Sequence, residues 1–303
     1  MDSAYSVVGN DIVGYWYKDL PKGCKLCMKG SKIVVFITGI CGVNCYYCPI
    51  STERRFVGAL YVDEERVTRI EEIVEEAYIV KAEGASITGG EPFQRYDLTV
   101  KVIEVLKDYL GPDFHIHLYT SGLGASREAV RYLDRVGLDE IRFHIVNDSL
   151  WKLVEFAVRE TSMDVGIEVP AIPGEEERLW RIVTEANRIG VKFVNLNELE
   201  ATETNIQNLM FRGFKLDEDG KVVVGSAETA KRIVFRAAEE KLSISVHYCP
   251  AIYKEFVQLR GRMIRKARTC AGEGDKVTDY GYIIRDGEEM EPRLNDCAPL
   301  ITI

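Results

Sequence analysis

From residue 32 onward, apolar runs of strand length alternate with amphipathic helical segments, and this alternation narrows the possible folds further than any other feature of the chain. Each buried run needs neighbours on both sides and each helix needs a sheet face to cover. Repeated strand-then-helix units therefore read as parallel strands joined by crossover helices. The spacing predicts a strand over 33–40 and then a helix over 64–83. Val67, Ile70, Ile73, Val74, Ala77 and Val80 form one face of that helix, Asp63 is placed to cap its start and Gly84 to end it. Strand 85–88 precedes helix 98–110, strand 115–119 precedes helix 127–136, strand 140–146 precedes helix 150–160, and strand 165–169 precedes helix 175–189. A sixth strand follows at 192–196. The fold class this implies is α/β, a partial (β/α)6 TIM-like barrel. Beyond Glu200 the rhythm changes to a helix over 203–211, a hairpin near 217–220, a helix over 227–240 and a strand over 243–246 that could join the barrel as a seventh. The chain thus divides into an N-terminal arm (1–31), a barrel core (32–200) and a C-terminal α+β extension (201–303).

Strands of a parallel sheet are buried on both faces and should be apolar throughout, so polar residues at every second position need a reason. Such residues occur in four successive predicted strands: His115, His117 and Tyr119; Glu140, Arg142 and His144; Gly166 and Glu168; Asn195 and Asn197. The period of two places each set on one face. Any one of them alone reads as a satisfied core group. Recurrence in four strands points to a polar chamber inside the barrel.

A chain with 46% hydrophobic and 29% charged residues is that of a folded protein, and no apolar run is long enough to cross a bilayer. The opening residues lack a basic stretch followed by an apolar one, so a cytoplasmic location without membrane partners is expected. A net charge of -9 disfavours a broad nucleic-acid coat. Few glutamines and many charges match a compositional tendency of thermophiles.

Eight cysteines in a long chain without an export signal point to metal ligation or catalysis. Directly after the first predicted barrel strand stands Cys41-Gly42-Val43-Asn44-Cys45-Tyr46-Tyr47-Cys48, a loop able to curl three thiolates around one cubane cluster. Iron–sulfur clusters usually take four cysteines, so three leave one iron for an exogenous ligand. A structural zinc site would want four nitrogen or sulfur ligands. Further along lies Thr88-Gly89-Gly90-Glu91-Pro92, where two glycines permit close backbone approach and Glu91 can accept from an ammonium group.

With its Cys-x3-Cys-x2-Cys spacing, Tyr47 before the last cysteine and the Gly89-Gly90-Glu91 segment ending the second strand, the sequence resembles the radical S-adenosylmethionine (radical SAM) superfamily over about residues 32–200. That resemblance implies a barrel of radical SAM type and a 4Fe-4S cluster on Cys41, Cys45 and Cys48. It implies SAM chelating the open iron, with its amino group at Gly89, Gly90 and Glu91. Thr120, Ser121 and Glu168 resemble ribose-binding positions, and Asn197 an adenine-side contact. In the family, an electron from the cluster, delivered by a donor such as ferredoxin or flavodoxin, cleaves SAM to a 5′-deoxyadenosyl radical that takes hydrogen from substrate. The opening segment also looks like an archaeal subgroup related to pyruvate formate-lyase activating enzymes.

Of the remaining cysteines, Cys24-Lys25-Leu26-Cys27 reads as a knuckle supplying two thiolates. His247 with Cys249, or Cys249 with Cys270 or Cys297, could complete a second metal site, either an auxiliary iron–sulfur cluster or a structural zinc. Arg260, Arg262, Arg265, Lys266 and Arg268 crowd one predicted helix, and Lys22, Lys25, Lys29 and Lys32 flank the knuckle. A solvated helix face is the commoner meaning; an anionic partner is the other. Three substrate classes stay open: a protein, an RNA base and a small metabolite. The alternative function is an electron-transfer or sensing cluster protein that does not cleave SAM, against which Glu91 and its two glycines argue. The sequence is silent on oligomeric state.

Overall fold

The computed structural model describes residues 6–297, so the first five residues of the arm and the last six of the extension lie outside it. An initial hairpin, β1 (Val7–Asn10) and β2 (Gly14–Tyr17), is followed by a short helix α1 (Lys22–Met28) and the strand β3 (Lys32–Phe36). After the cysteine loop comes a second hairpin, β4 (Leu60–Val62) and β5 (Glu65–Val67), and then helix α2 (Glu71–Val80). Strict alternation follows: β6 (Gly84–Thr88), α3 (Tyr96–Leu110), β7 (His115–Thr120), α4 (Arg127–Arg135), β8 (Glu140–Phe143), α5 (Trp151–Glu160), β9 (Asp164–Pro170), α6 (Glu176–Ile189) and β10 (Phe193–Asn197). The extension supplies α7 (Ile206–Phe211), α8 (Ser226–Glu239), β11 (Ser245–Cys249), α9 (Ala251–Tyr253), a π-helical turn (Lys254–Leu259), α10 (Arg260–Cys270), a small antiparallel sheet of β12 (Lys276–Val277), β13 (Ile283–Arg285) and β14 (Glu288–Met290), and α11 (Leu294–Cys297).

Among the described residues, eleven strands form one sheet in the order β1-β2-β11-β10-β9-β8-β7-β6-β3-β4-β5. From β11 through β3 every pairing is parallel, so the strand at 245–249 is the seventh of the parallel run. The two hairpins pair antiparallel at its edges and cover them. The sheet is open, a partial barrel. Its outward side chains, such as Ile116, Leu118, Ile141, Phe143, Val194 and Val246, are buried under the crossover helices, each contributing about 1.5–3 kcal/mol through loss of apolar surface from water. Tyr17 from the arm and Ala230, Val246, Ala267 and Leu294 from the extension belong to the same continuous core. Among the described residues, no helix is long and apolar enough to cross a membrane.

Two expectations change. Residues 64–70 do not begin the first crossover helix; Glu65–Val67 is the returning strand of a hairpin, and the helix starts at Glu71. Asp63 sits in the turn at φ 53, its carboxylate accepting from Val34 N–H at 2.7 Å and pairing with Arg262 at 3.2 Å, so it ties the hairpin to β3 instead of capping a helix. Lys81, in left-handed conformation, ends α2, and Gly84 opens β6. The basic helix is also not a free patch. Arg262 and Lys266 are buried, Arg262 against Asp63 and Glu64, Lys266 against Glu65 at 2.7 Å and Glu76 at 2.9 Å, while Lys32 is buried in β3. These charges are spent on holding α10 to the β4–β5 hairpin and α2.

Candidate active site

The cysteine loop leaves the carboxyl end of β3, and its course follows from contacts made at both ends. Gly90 N–H donates to Thr38 O at 2.6 Å and Glu91 N–H to Ile40 O at 2.9 Å, locking the segment after β6 under the start of the loop. A Cβ on Gly90 would lie 2.4 Å from Ile40 O and 2.9 Å from Cys41 Cβ, so here the missing side chain lets two backbones of the chain itself approach. At the far end, Asn205 Nδ2 donates to Tyr47 O at 3.0 Å and Thr204 Oγ1 to Cys48 O at 3.3 Å. Tyr47 Oη meets His144 Nε2 at 2.9 Å, and the other nitrogen of that ring meets Glu168 O at 3.0 Å. Tyr46 packs edge-on to Tyr47, stacks with Phe214 and carries the Arg212 guanidinium 4.0 Å from its ring centre.

Cys41, Cys45 and Cys48 are unpaired, partly buried thiols on this loop. Burial pushes the Cys41 and Cys45 thiols above their usual range. Val43 N–H donates to Cys41 Sγ at 3.4 Å, the polarity a thiolate ligand needs.

Glu91 is fully buried and both of its oxygens are engaged by the chain: Oε1 accepts from Thr120 Oγ1 at 2.6 Å and Phe93 N–H at 3.1 Å, Oε2 from Ser121 Oγ at 2.5 Å and Ser121 N–H at 2.8 Å. The carboxylate therefore fastens the end of β7 to the end of β6, and Thr120 and Ser121 are its partners. This differs from a carboxylate left open for an ammonium group, and the reason is local: four donors converge on two oxygens.

Below the loop, the inward residues of β7 to β11 form the polar chamber that the alternation predicts. Arg142, almost wholly buried, holds Glu140 Oε1 at 2.5 Å and Glu168 Oε2 at 2.8 Å, donates to Tyr119 Oη at 3.2 Å and lies over the Phe193 ring. Asn195 and Asn197 donate to Glu168 at 3.1 and 2.9 Å. Burial opposes charge on Glu168, but Arg142 and the two amides outweigh it and hold the carboxyl below its usual range. Arg142 and His144 are as central as any predicted site residue; their place in the inward alternation was the signal for them. Nothing in the sequence marked Asn205.

The arm enters this chamber. Helix α1 lies across the inner face of the sheet, bringing Cys24 Sγ within 3.4 Å of Asn195 Nδ2 and 3.6 Å of an Arg142 nitrogen. Cys24, Cys27, His247 and Cys249 line one cavity of about 50 Å³ together with Glu168, Asn197, Arg142 and Lys254. Burial pushes the Cys24 thiol up to about 11 and the Cys249 thiol higher still. Cys270 and Cys297 are elsewhere and are bonded to each other, a disulfide joining α10 to α11, so neither belongs to a metal site with the knuckle.

A parallel, open barrel with a polar chamber, and with three unpaired thiols on a loop at the carboxyl end of its first parallel strand, is the architecture of an iron–sulfur enzyme that leaves one iron for a small-molecule ligand. A family model described as the radical SAM superfamily matches residues 35–147. A curated protein of Methanocaldococcus jannaschii, named as a candidate glycyl-radical enzyme activating enzyme, is 37% identical over 280 residues, covering 89% of this chain and 73% of that protein. The chain belongs to the radical SAM superfamily. It is an enzyme of that class, with a 4Fe-4S cluster and SAM as its cofactors. Among solved structures, Streptococcus suis SuiB bound to S-adenosylmethionine superimposes with a TM-score of 0.52 at 10% identity, covering 84% of this chain and 59% of SuiB. SuiB bound to its precursor peptide SuiA gives 0.51 at 9%, covering 84% and 58%. The chain thus spans about three fifths of SuiB, and the likeness establishes the fold.

Proposed function

We propose that this enzyme cleaves SAM reductively and takes hydrogen from a polypeptide substrate. The thiols fit the cluster: Cys41, Cys45 and Cys48 are free, share one loop and have their sulfurs spread more widely than a trio gripping a single ion, since the one group of three ligating atoms lying within 4.8 Å of one another among the described residues is elsewhere. These three would hold it, and when bound it supplies the electron that breaks the sulfonium bond of SAM. The chain's part is positioning. Glu91 fixes Thr120 and Ser121 beside the loop; the backbone of Gly89 and Gly90 would take the methionine end of SAM, and Glu168 and Asn197 the ribose and the adenine side. Tyr47, through His144, couples the loop to that same glutamate's backbone. Holding reactants in contact while excluding water is the main service a protein gives to radical chemistry.

The observation that carries the polypeptide reading is the apolar collar around the loop. Ile40, Phe56, Leu123, Met210 and Phe211 are all exposed, Phe211 by 93%. Leu123 lies over Gly42, Phe56 N–H bonds to Gly39 O, and Met210 and Phe211 end the helix that begins beside Asn205. Clustered exposed apolar groups mark protein-binding surfaces, whereas a small metabolite calls for an enclosing pocket. The name of the archaeal relative supports the same reading.

Cys24, Cys27 and Cys249 are proposed as ligands of a second metal centre in the chamber wall. The three line the wall of one small cavity, of about 50 Å³. Binding would draw the three thiols closer than they stand.

The test uses anaerobically reconstituted enzyme with dithionite and SAM, with extract from host cells grown in heavy water as a source of substrate deuterium. 5′-Deoxyadenosine should form with wild type and not with Cys45→Ala. Deuterium should enter it from the macromolecular fraction and disappear after protease treatment. Deuterium supplied only by the small-molecule fraction, or lost only after ribonuclease, would overturn the polypeptide assignment.

A further inference from the structure

We propose that His115, His117 and Glu140 form a second binding site, distinct from every cysteine, for a divalent transition-metal ion of which zinc is the best match. The site lies at the amino-terminal ends of β7 and β8, opposite the cysteine loop. Alternation along β7 puts both imidazoles on the inner face, and the pairing of His117 with Glu140 sets the carboxylate beside them. All three are buried, His117 and Glu140 completely. One ligating atom from each lies within 4.8 Å of the other two, with His115 Nε2 3.6 Å from Glu140 Oε2.

Four atoms of this cluster have no hydrogen-bond partner among the described residues: His115 Nε2, both ring nitrogens of His117, and Glu140 Oε2. Buried polar atoms in a folded chain are almost always met by something, and two imidazole nitrogens with one carboxylate oxygen are a donor set for zinc. The other carboxylate oxygen is already held by Arg142 at 2.5 Å, the kind of outer partner that orients a metal-binding carboxylate. With zinc–ligand bonds of about 2.0–2.1 Å, tetrahedral donors sit about 3.3 Å apart, so the His115–Glu140 pair is nearly in place and a ring rotation brings in His117. Arg142, with Lys32, Lys22 and Lys107 around it, adds positive charge nearby; Glu140 and Glu168 both pair with Arg142, and the ligand bonds themselves must hold the ion. Helix α1 seals the site: a Cβ on Gly23 would fall 2.6–2.7 Å from ring atoms of His117. Because Glu140 grips Arg142 and Arg142 grips Glu168, an ion here is linked by two ion pairs to the chamber where SAM is proposed to lie.

The experiment loads one equivalent of zinc into holoprotein carrying Cys24→Ser, Cys27→Ser and Cys249→Ser, with the iron–sulfur site reconstituted, and records metal content and zinc-edge X-ray absorption. About one zinc per chain is expected, with a nitrogen and oxygen shell at about 2.0 Å, imidazole outer-shell scattering and no sulfur at about 2.3 Å. Zinc retention should fall at least tenfold in His117→Ala and in Glu140→Gln. The absorption spectrum reads the ligands without altering the site, so a variant that folds poorly does not leave the question open. No retained zinc, a sulfur shell, or full retention by both variants would overturn the assignment.

Discussion

Arg142 is the residue whose removal the structure makes most consequential for stability. In Arg142→Met a side chain of similar length keeps the packing against Tyr119 and Phe193 but withdraws the guanidinium that bridges the buried carboxylate of Glu140 at 2.5 Å and the largely buried one of Glu168 at 2.8 Å. Leaving a buried charge without its partner costs about 3–5 kcal/mol. For a chain of 303 residues the unfolding entropy is about 0.6 kcal/mol per kelvin, so the melting temperature should fall by about 5–8 °C at pH 7.5, read by calorimetry on anaerobic holoprotein. The pH dependence has a definite sign. In wild type the Glu168 carboxyl is held below its ordinary value of 4.5, so its stabilisation is present above that value and is lost as pH falls through the lower, folded one. Without Arg142 it rises, and Glu140, which burial already pushes up, rises further. The folded variant then binds protons that the unfolded chain gives up, and its stability increases as pH falls from 8 towards 5, narrowing the gap to wild type. Adding Glu140→Gln and Glu168→Gln should recover much of the loss. A melting temperature lowered by less than about 2 °C, or a gap that stays constant with pH, would refute the reasoning.

Gly90→Ala places a methyl group 2.4 Å from Ile40 O and should push Cys41 out of register, cutting iron bound per chain at least fivefold while the far-ultraviolet spectrum is kept. Cys297→Ser opens a disulfide spanning 27 residues and should cost about 3.5 kcal/mol of stability, measurable by denaturant titration, with 5′-deoxyadenosine production unchanged. Phe211→Asp, at an exposed collar position, should leave substrate-free SAM cleavage intact and lower deuterium transfer from the macromolecular fraction at least tenfold.

The parallel core was legible because strand-length stretches with apolar residues on their outward face alternate with amphipathic helices, and the chamber because polar residues take every second place in four of those strands. What the sequence concealed were pairings between distant segments. Val67 and Ile70 fit a helical stripe equally well as the edge of a hairpin, and only the pairing of Leu60–Val62 with β3, pinned by Asp63 on Val34 N–H, decides for the hairpin. Glu91 offered an acceptor, but that its takers would be Thr120 and Ser121 depended on the strand order. The arginines and lysines of α10 looked available because their partners, Asp63, Glu65 and Glu76, lie some two hundred residues earlier. Cys270 and Cys297 gave no sign of being a pair.

The chamber's walls come from the two ends of the chain, and this bears on the order of assembly. Trp16 of β2 is registered against His247 of β11, a closure that must gather nearly the whole polypeptide, and pairings of such long range form late. The cysteine loop is different: its anchors, Gly90 and Glu91 at its start and Thr204 and Asn205 at its end, all precede β11 in the chain. A nascent chain made as far as α7 can therefore complete the cradle for iron and sulfide before β11 exists to pair with β2. Pulse-labelled hydrogen exchange during refolding should show the amides of β3 and β6 protected before those of β2 and β11, with the window for cluster delivery lying between the two.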